Sequence, residues 1–201
     1  MASERTKIKE EFAEELEEDR PLTKEELRHE IISTVVYLLV VFVLIFLFIH
    51  YVGQRTVVSG SSMENTLSNG DNLIIDKISY RFRDPERFEV VVFPYKLDEK
   101  TFFIKRVIGL PGETVYIDAK GTIYINGEKL EENYGREVIA NPGLASSEIT
   151  LADDEYFVLG DNRNNSEDSR FEDVGNIKRS DLIGRAWVRI YPFSEMGAVN
   201  Q

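Results

Sequence analysis

Thr101-Phe102-Phe103-Ile104-Lys105-Arg106-Val107-Ile108-Gly109-Leu110-Pro111-Gly112 reads as a strand that ends in a turn. Branched and aromatic side chains fill Phe102–Ile108, and Leu-Pro-Gly breaks the run. Alternate residues of a strand share a face, so Lys105 projects with Phe103 and Val107 while Arg106 points the other way. A lysine among apolar neighbours loses hydration of its charged form, and its pKa falls. Such a lysine can be neutral and act as a general base. The structural alternative is a strand lysine whose ammonium reaches water along its aliphatic stem.

Runs of the same character recur on both sides: Leu73–Ile75, Val90–Phe93, Thr114–Ile117, Tyr156–Leu159 and Ala186–Tyr191. Turn-forming clusters separate them, among them Leu110-Pro111-Gly112-Glu113 and Ile125-Asn126-Gly127-Glu128. No helical period, internal repeat or low-complexity tract interrupts this pattern, so residues 53–201 read as one mainly β domain. The short segment between Asp118 and Glu155 leaves room for only a small accessory unit.

Ile31 to Ile49 is different in kind: nineteen residues without a formal charge, dominated by Val, Leu, Ile and Phe. At about 1.5 Å per residue it spans roughly a bilayer core. A buried soluble helix is seldom apolar all round over this length. No small-x-small cleavage site follows closely, so the run at 31–52 reads as an uncleaved signal anchor. Arg20, Lys24 and Arg28 precede it and only Arg55 follows closely, which predicts a cytoplasmic N-terminus and an outward-facing polar domain. Thr23 and Glu26 form a capping-box pattern at the start of that helix. The acidic tail, residues 1–30, carries Ile8, Phe12 and Leu16 at helical spacing, so Lys7 to Asp19 is a candidate amphipathic helix in an otherwise solvated tail.

Composition narrows the chemistry. The formal charge of −12 argues against nucleic acid as a partner. Without cysteine there is no disulfide, no thiolate metal site and no cysteine nucleophile. The two histidines, His29 and His50, both precede the polar region, so a hydrolase built there cannot use a Ser–His–Asp triad or a His-ligated zinc. Lysine or a carboxylate must supply the base.

Two other segments fit that requirement. In Ser59-Gly60-Ser61-Ser62-Met63-Glu64-Asn65-Thr66-Leu67, glycine permits a sharp turn, after which a serine can project its hydroxyl and keep its own N–H free. A free N–H beside a nucleophile is a ready oxyanion donor. On its own this is also ordinary loop chemistry. Gly160-Asp161-Asn162-Arg163-Asn164-Asn165-Ser166-Glu167-Asp168-Ser169-Arg170 has no large apolar side chain and follows a strand, so it forms a loop rich in hydrogen-bonding groups. A calcium loop is excluded as an EF-hand by Arg163 at the third ligand position and Ser166 where glycine is needed.

In their order and spacing behind an N-terminal anchor, these segments resemble the boxes of bacterial type I signal peptidases. Ser62 to Leu67 resembles Ser-Met-x-Pro-Thr-Leu, and Lys105 to Gly112 matches Lys-Arg-x-x-Gly-x-Pro-Gly. Gly160 to Arg170 matches Gly-Asp-Asn-Arg-x-Asn-Ser-x-Asp-Ser-Arg at every fixed position. Gly70-Asp71-Asn72 and the strand after it resemble a further box. The likeness covers residues 57–112 and 156–191.

The resemblance implies a mainly β fold of antiparallel sheets behind a single N-terminal transmembrane helix. It implies a Ser–Lys endopeptidase with Ser62 as nucleophile, Lys105 as base and Ser166 orienting the lysine. It places Asp168 as a brace with Arg170 and Arg106 as ionic neighbours, and Asp161 and Arg163 holding the loop. Val58, Met63, Leu67, Phe103 and Ile104 correspond to the shallow pockets for small side chains. No metal or cofactor is implied; the expected partners are preprotein signal peptides, the bilayer and the secretion translocon. Two departures stand out. Asn65 replaces a proline, and Gly60 stands where some members carry a serine that helps the oxyanion. The competing functions are a processing protease for one dedicated substrate and an inactive anchored binding module.

Overall fold

In this computed structural model, residues 23–51 and 53–199 are described. The candidate helix at Lys7 to Asp19, and the tail around it, lie outside them. The chain divides into two compact units, one ending at Leu47 and the other beginning at Phe48.

Helix α1, Lys24–Tyr51, opens on the expected capping box. Thr23 N–H donates to Glu26 Oε2 at 2.9 Å, and Glu26 N–H donates back to Thr23 Oγ1 at 3.3 Å. Two N–H groups at the first turn, which no helical carbonyl can reach, are thereby satisfied. From Ile31 to Leu47 every side chain but that of Val41 is exposed, on all faces of the helix. An 18-residue stretch of the helix reaches a mean hydropathy of 2.7, so the helix has the length and composition of a membrane span.

The other unit is β-rich. Its strands are β1 Gly53–Val57, β2 Asn72–Asp76, β3 Val90–Tyr95, β4 Asp98–Gly109, β5 Thr114–Ile117 and β6 Ile123–Ile125. They continue with β7 Glu128–Lys129, β8 Ile149–Thr150, β9 Glu155–Leu159, β10 Ile177–Lys178, β11 Gly184–Tyr191 and β12 Gly197–Ala198. The larger sheet runs β1-β2-β11-β3-β4-β9-β10, with β12 on β11; the smaller runs β7-β6-β5-β8. Each pairing is antiparallel. The fold class expected from the sequence is the one observed. The accessory segment after Asp118 is small: it completes the second sheet with three short strands.

Both faces of the large sheet are covered, which is why its central strands read as continuous apolar runs. In β3, Val90 and Val92 pack with Val58, Met63, Leu67 and Ala186, while Val91 and Phe93 pack with Tyr80, Val107 and Leu182. In β9, Phe157 and Leu159 face the small sheet with Ile117 and Ile123, and Tyr156 and Val158 face the other side. Burying one such side chain contributes about 1.5–3 kcal/mol. β4 pairs with β3 from Asp98 to Arg106 but with β9 only from Arg106 onward. Its first half therefore presents one unpaired edge, and that edge borders the site.

Candidate active site

Lys105 lies on β4, and its partner in register across the sheet is Val91. Its side chain is 3% exposed and its Nζ sits 4.8 Å from the centre of the Phe103 ring. Burial pushes the ammonium's pKa down to about 8, against the opposing fields of Asp168, Glu167 and Asp161. Nζ donates to Ser62 Oγ at 2.8 Å. When the amine is neutral the same contact runs in reverse, with the hydroxyl donating to the nitrogen lone pair.

Ser62 belongs to the turn Ser61–Thr66, entered through Gly60 at φ +101°. That angle is open to glycine and strained for most side chains. The Gly60 N–H is tied to Asn69 Oδ1 at 3.0 Å, and the turn closes through Leu67 N–H to Met63 O at 2.8 Å. No acceptor among the described residues meets the Ser62 N–H.

The loop Gly160–Arg170 clamps this turn from the far side. Asn162 N–H donates to Ser62 O at 3.0 Å, Asn162 Nδ2 to Ser61 O at 3.0 Å, and Asn165 Nδ2 to Ser61 Oγ at 2.8 Å. Gly160 makes the approach possible. A Cβ there would lie 2.6 Å from Ser62 O and would collide with the Ser166 side chain. Ser166 Oγ is buried beside the lysine's cleft and makes no hydrogen bond among the described residues. The expected contact with Lys105 is thus absent from this structure; the lysine bonds Ser62 instead.

Two buried ion pairs brace the loop; Asp168 with Arg170 is the pair expected, and Arg106 is found with a different partner. Asp168 accepts from Arg170 Nε at 2.8 Å and from the Gly160 N–H at 3.1 Å. Arg106, expected beside Asp168, pairs with Asp161 instead, because it points to the opposite face of β4 from Lys105. Thr66 Oγ1 donates to Asp161 Oδ2 and accepts from Arg106 NH2 at 3.0 Å. The Arg106 guanidinium also stacks on the Tyr134 ring, 3.8 Å from its centre. Asp161 therefore reaches outside its own loop. Arg163 holds the loop through Gly160 O at 3.1 Å and also pairs with Glu132 at 2.7 Å.

Sequence reasoning missed Thr66, Glu132, Tyr134 and Asn162. Thr66 and Asn162 stand in the quoted motifs, but nothing in the pattern says which groups they meet. Glu132 and Tyr134 lie in an irregular segment whose contacts with Arg163 and Arg106 are distant in sequence.

A cavity of about 650 Å³ opens over Ser62 and Lys105. Val58, Gly60, Met63, Phe103 and Ile104 line it, as expected, and Ser166 does too. Leu67 does not: at 1% exposure it packs behind Met63 in the core, because the turn points it inward. A serine hydroxyl bonded to a buried lysine, at the floor of an open cleft, is the arrangement that a Ser–Lys hydrolase requires.

The comparisons with known proteins agree with that class. The family described as signal peptidase, peptidase S26, matches residues 30–191. "Probable signal peptidase I-2" of Synechocystis is 47% identical over 152 residues, covering 73% of this chain and 67% of the relative. Signal peptidase I of Leptolyngbya laminosa is 42% identical, with 73% of each chain covered. "Signal peptidase I P" of Bacillus subtilis subsp. natto is 30% identical over 84% of this chain and 94% of its own. A solved signal peptidase I from Enterococcus faecalis is 34% identical and covers 51% of this chain and 97% of its own, at a TM-score of 0.41, too low to bear on the fold. The chain belongs to the signal peptidase, peptidase S26, family.

Proposed function

We propose that this protein is a membrane-bound serine endopeptidase that removes N-terminal signal peptides from exported preproteins, with Ser62 as nucleophile and Lys105 as general base. The observation that carries this reading is the 2.8 Å contact between Lys105 Nζ and Ser62 Oγ, made by a lysine whose burial favours its neutral form. Its membership of a family whose relatives are named signal peptidase I supports the substrate class.

Neutral Lys105 takes the Ser62 proton as Oγ attacks the scissile carbonyl carbon. The Ser62 N–H stabilises the resulting oxyanion. Collapse breaks the C–N bond, and the ammonium of Lys105 returns its proton to the departing amine. A water, deprotonated in turn by Lys105, attacks the ester carbon; the bond to Ser62 Oγ breaks, Lys105 returns the proton to Oγ, and the signal peptide leaves as a carboxylic acid. Ser166, whose buried hydroxyl has no partner among the described residues, is the group available to accept from the Lys105 ammonium once it has taken the Ser62 proton. Asp168 with Arg170, Asp161 with Arg106, and Arg163 hold the loop that fixes Ser62. Val58, Met63, Phe103 and Ile104 admit small side chains before the cut, and the substrate's backbone lies along the open edge of β4.

Residues 31–52 anchor the enzyme in the bilayer, with residues 1–30 in the cytoplasm and residues 53–201 as the extracytoplasmic catalytic domain. The basic residues before the span support this orientation. Anchoring holds the site where substrates leave the translocon, which raises effective concentration. The test is cleavage of a leader-bearing preprotein by the full chain in detergent, beside Ser62→Ala and Lys105→Ala. Release of the leader by the wild type alone supports the reading. A folded variant that cuts as well as the wild type overturns the assignment of that residue.

A further inference from the structure

Asn162, 5% exposed, grips the carbonyls on either side of the Ser62 α-carbon. Its backbone N–H donates to Ser62 O at 3.0 Å. Its side-chain Nδ2 donates to Ser61 O at 3.0 Å and to Glu64 Oε2 at 3.3 Å. Two oxygens around Nδ2 fix which way the amide lies, because a flipped amide would set Oδ1 against both. Glu64 is held in turn by an ion pair with Arg136, whose N–H donates to Asp161 O at 2.8 Å. The Asn162 amide is thus locked in one orientation behind the Ser61–Ser62 peptide unit.

That peptide unit is trans, so it is planar with its C=O and N–H pointing in opposite directions. Holding Ser61 O toward Asn162 therefore turns the Ser62 N–H away from it. Among the described residues, Ser61 and Ser62 line the cleft and Asn162 does not, so the grip comes from behind the turn. The Ser62 N–H meets no acceptor among them. A donor on the carbonyl also polarises the peptide unit, which strengthens its N–H as a donor. On the peptidase reading, on which this inference rests, the Ser62 N–H meets the charge that develops on the scissile carbonyl oxygen. Such a donor is effective only when it is aimed before the charge appears. We infer that Asn162 is a positioning residue for the oxyanion hole: through Ser61 O its side chain aims the Ser62 N–H at that oxygen, without touching substrate.

The test compares the full chain in detergent with Asn162→Ala, which keeps the backbone bond to Ser62 O and removes only the side-chain donor. Cleavage of a leader peptide should lose on the order of ten- to a hundredfold in kcat, with KM within about twofold of the wild type. The second probe is a leader-derived peptide aldehyde. Ser62 Oγ adds to its carbon, the C=O electron pair passes to the oxygen, and the serine proton goes to Lys105. That oxygen sits where the oxyanion forms, so affinity for the aldehyde should fall by a factor similar to kcat, while affinity for the cleaved leader holds. The midpoint of the pH–rate profile should not move, because Lys105 keeps its surroundings. Undiminished kcat overturns the inference and leaves the peptidase reading intact. So does a loss of kcat with unchanged aldehyde affinity, or with a displaced pH midpoint, since Asn162 would then act through the loop or the lysine. If Asn162→Ala does not fold, the wild type decides alone: the Ser62 amide proton should move downfield in the NMR spectrum when the aldehyde binds, and an unmoved amide overturns the inference. A wild type that cuts no leader contradicts the peptidase reading and takes the assignment of Asn162 with it.

Discussion

Arg106 and Asp161 meet side by side in the interior, with Nε 2.9 Å from Oδ1 and NH2 2.7 Å from Oδ2, neither exposed to solvent. Arg106 follows Lys105 on β4, and Asp161 follows Gly160 in the loop that grips Ser62. The pair therefore joins the strand that carries Lys105 to the loop that holds Ser62. Thr66, bonded to both, adds the turn that carries Ser62.

Removing one partner leaves a buried charge uncompensated, which typically costs about 3–5 kcal/mol. Asp161→Ala should lower unfolding stability by that order in denaturant titration of the full chain. Thr66→Val removes only the shared hydroxyl and should cost about 1–3 kcal/mol. If Asp161→Ala unfolds like the wild type, the pair is not the joint described.

Gly160→Ala tests the closeness of the loop to Ser62. The added methyl would lie 2.6 Å from Ser62 O, so the turn or the loop must move. Displacing a reacting group by about 1 Å can cost about a hundredfold in rate. Steady-state kinetics should show a loss in kcat of that order. Undiminished kcat would mean the two segments need not be in contact.

Asn65 is the chain's departure from the family's proline, and its backbone explains why proline would not serve here. Its φ is +101°, whereas proline is fixed near −65°. Its side chain also donates to Tyr134 O at 3.2 Å. Asn65→Pro should therefore destabilise the protein by more than about 1 kcal/mol, read by thermal or denaturant unfolding. A stabilised variant would contradict this turn geometry.

The depressed pKa of Lys105 fixes two pH dependences of known sign. Activity should rise as the amine loses its proton, so kcat/KM climbs through about pH 8 and levels off above it. Between about pH 8 and the ordinary lysine value of 10.5, the unfolded chain holds a proton that the folded chain does not. Stability from this group therefore rises with pH across that window. A pH–rate profile flat from 7 to 9 would contradict the first.

Most of the β architecture was legible because β2, β3, β4, β5, β9 and β11 carry dense branched and aromatic runs. β1, Gly53–Val57, was not, since Gly-Gln-Arg-Thr-Val has little apolar content and takes its strand character from pairing with β2. β7, β8, β10 and β12 are two residues each and are fixed by tertiary contacts rather than by pattern. At the site, Ser62 and Lys105 were legible from motif order together with the absence of histidine. The partners of Arg106 were not. Alternation says that it opposes Lys105, but only the folded loop says that Asp161 waits on that side. Leu67 was misread because a motif position does not tell which way a turn directs its side chain.

The central claim is that burial makes Lys105 a base for Ser62 in the folded protein. Its most direct test is an NMR titration of Lys105 in the folded full chain, with labelled lysine and Lys105→Ala to assign the signal. A midpoint near 8 is the predicted result. A midpoint at the ordinary lysine value of 10.5, in protein that remains folded, would contradict it.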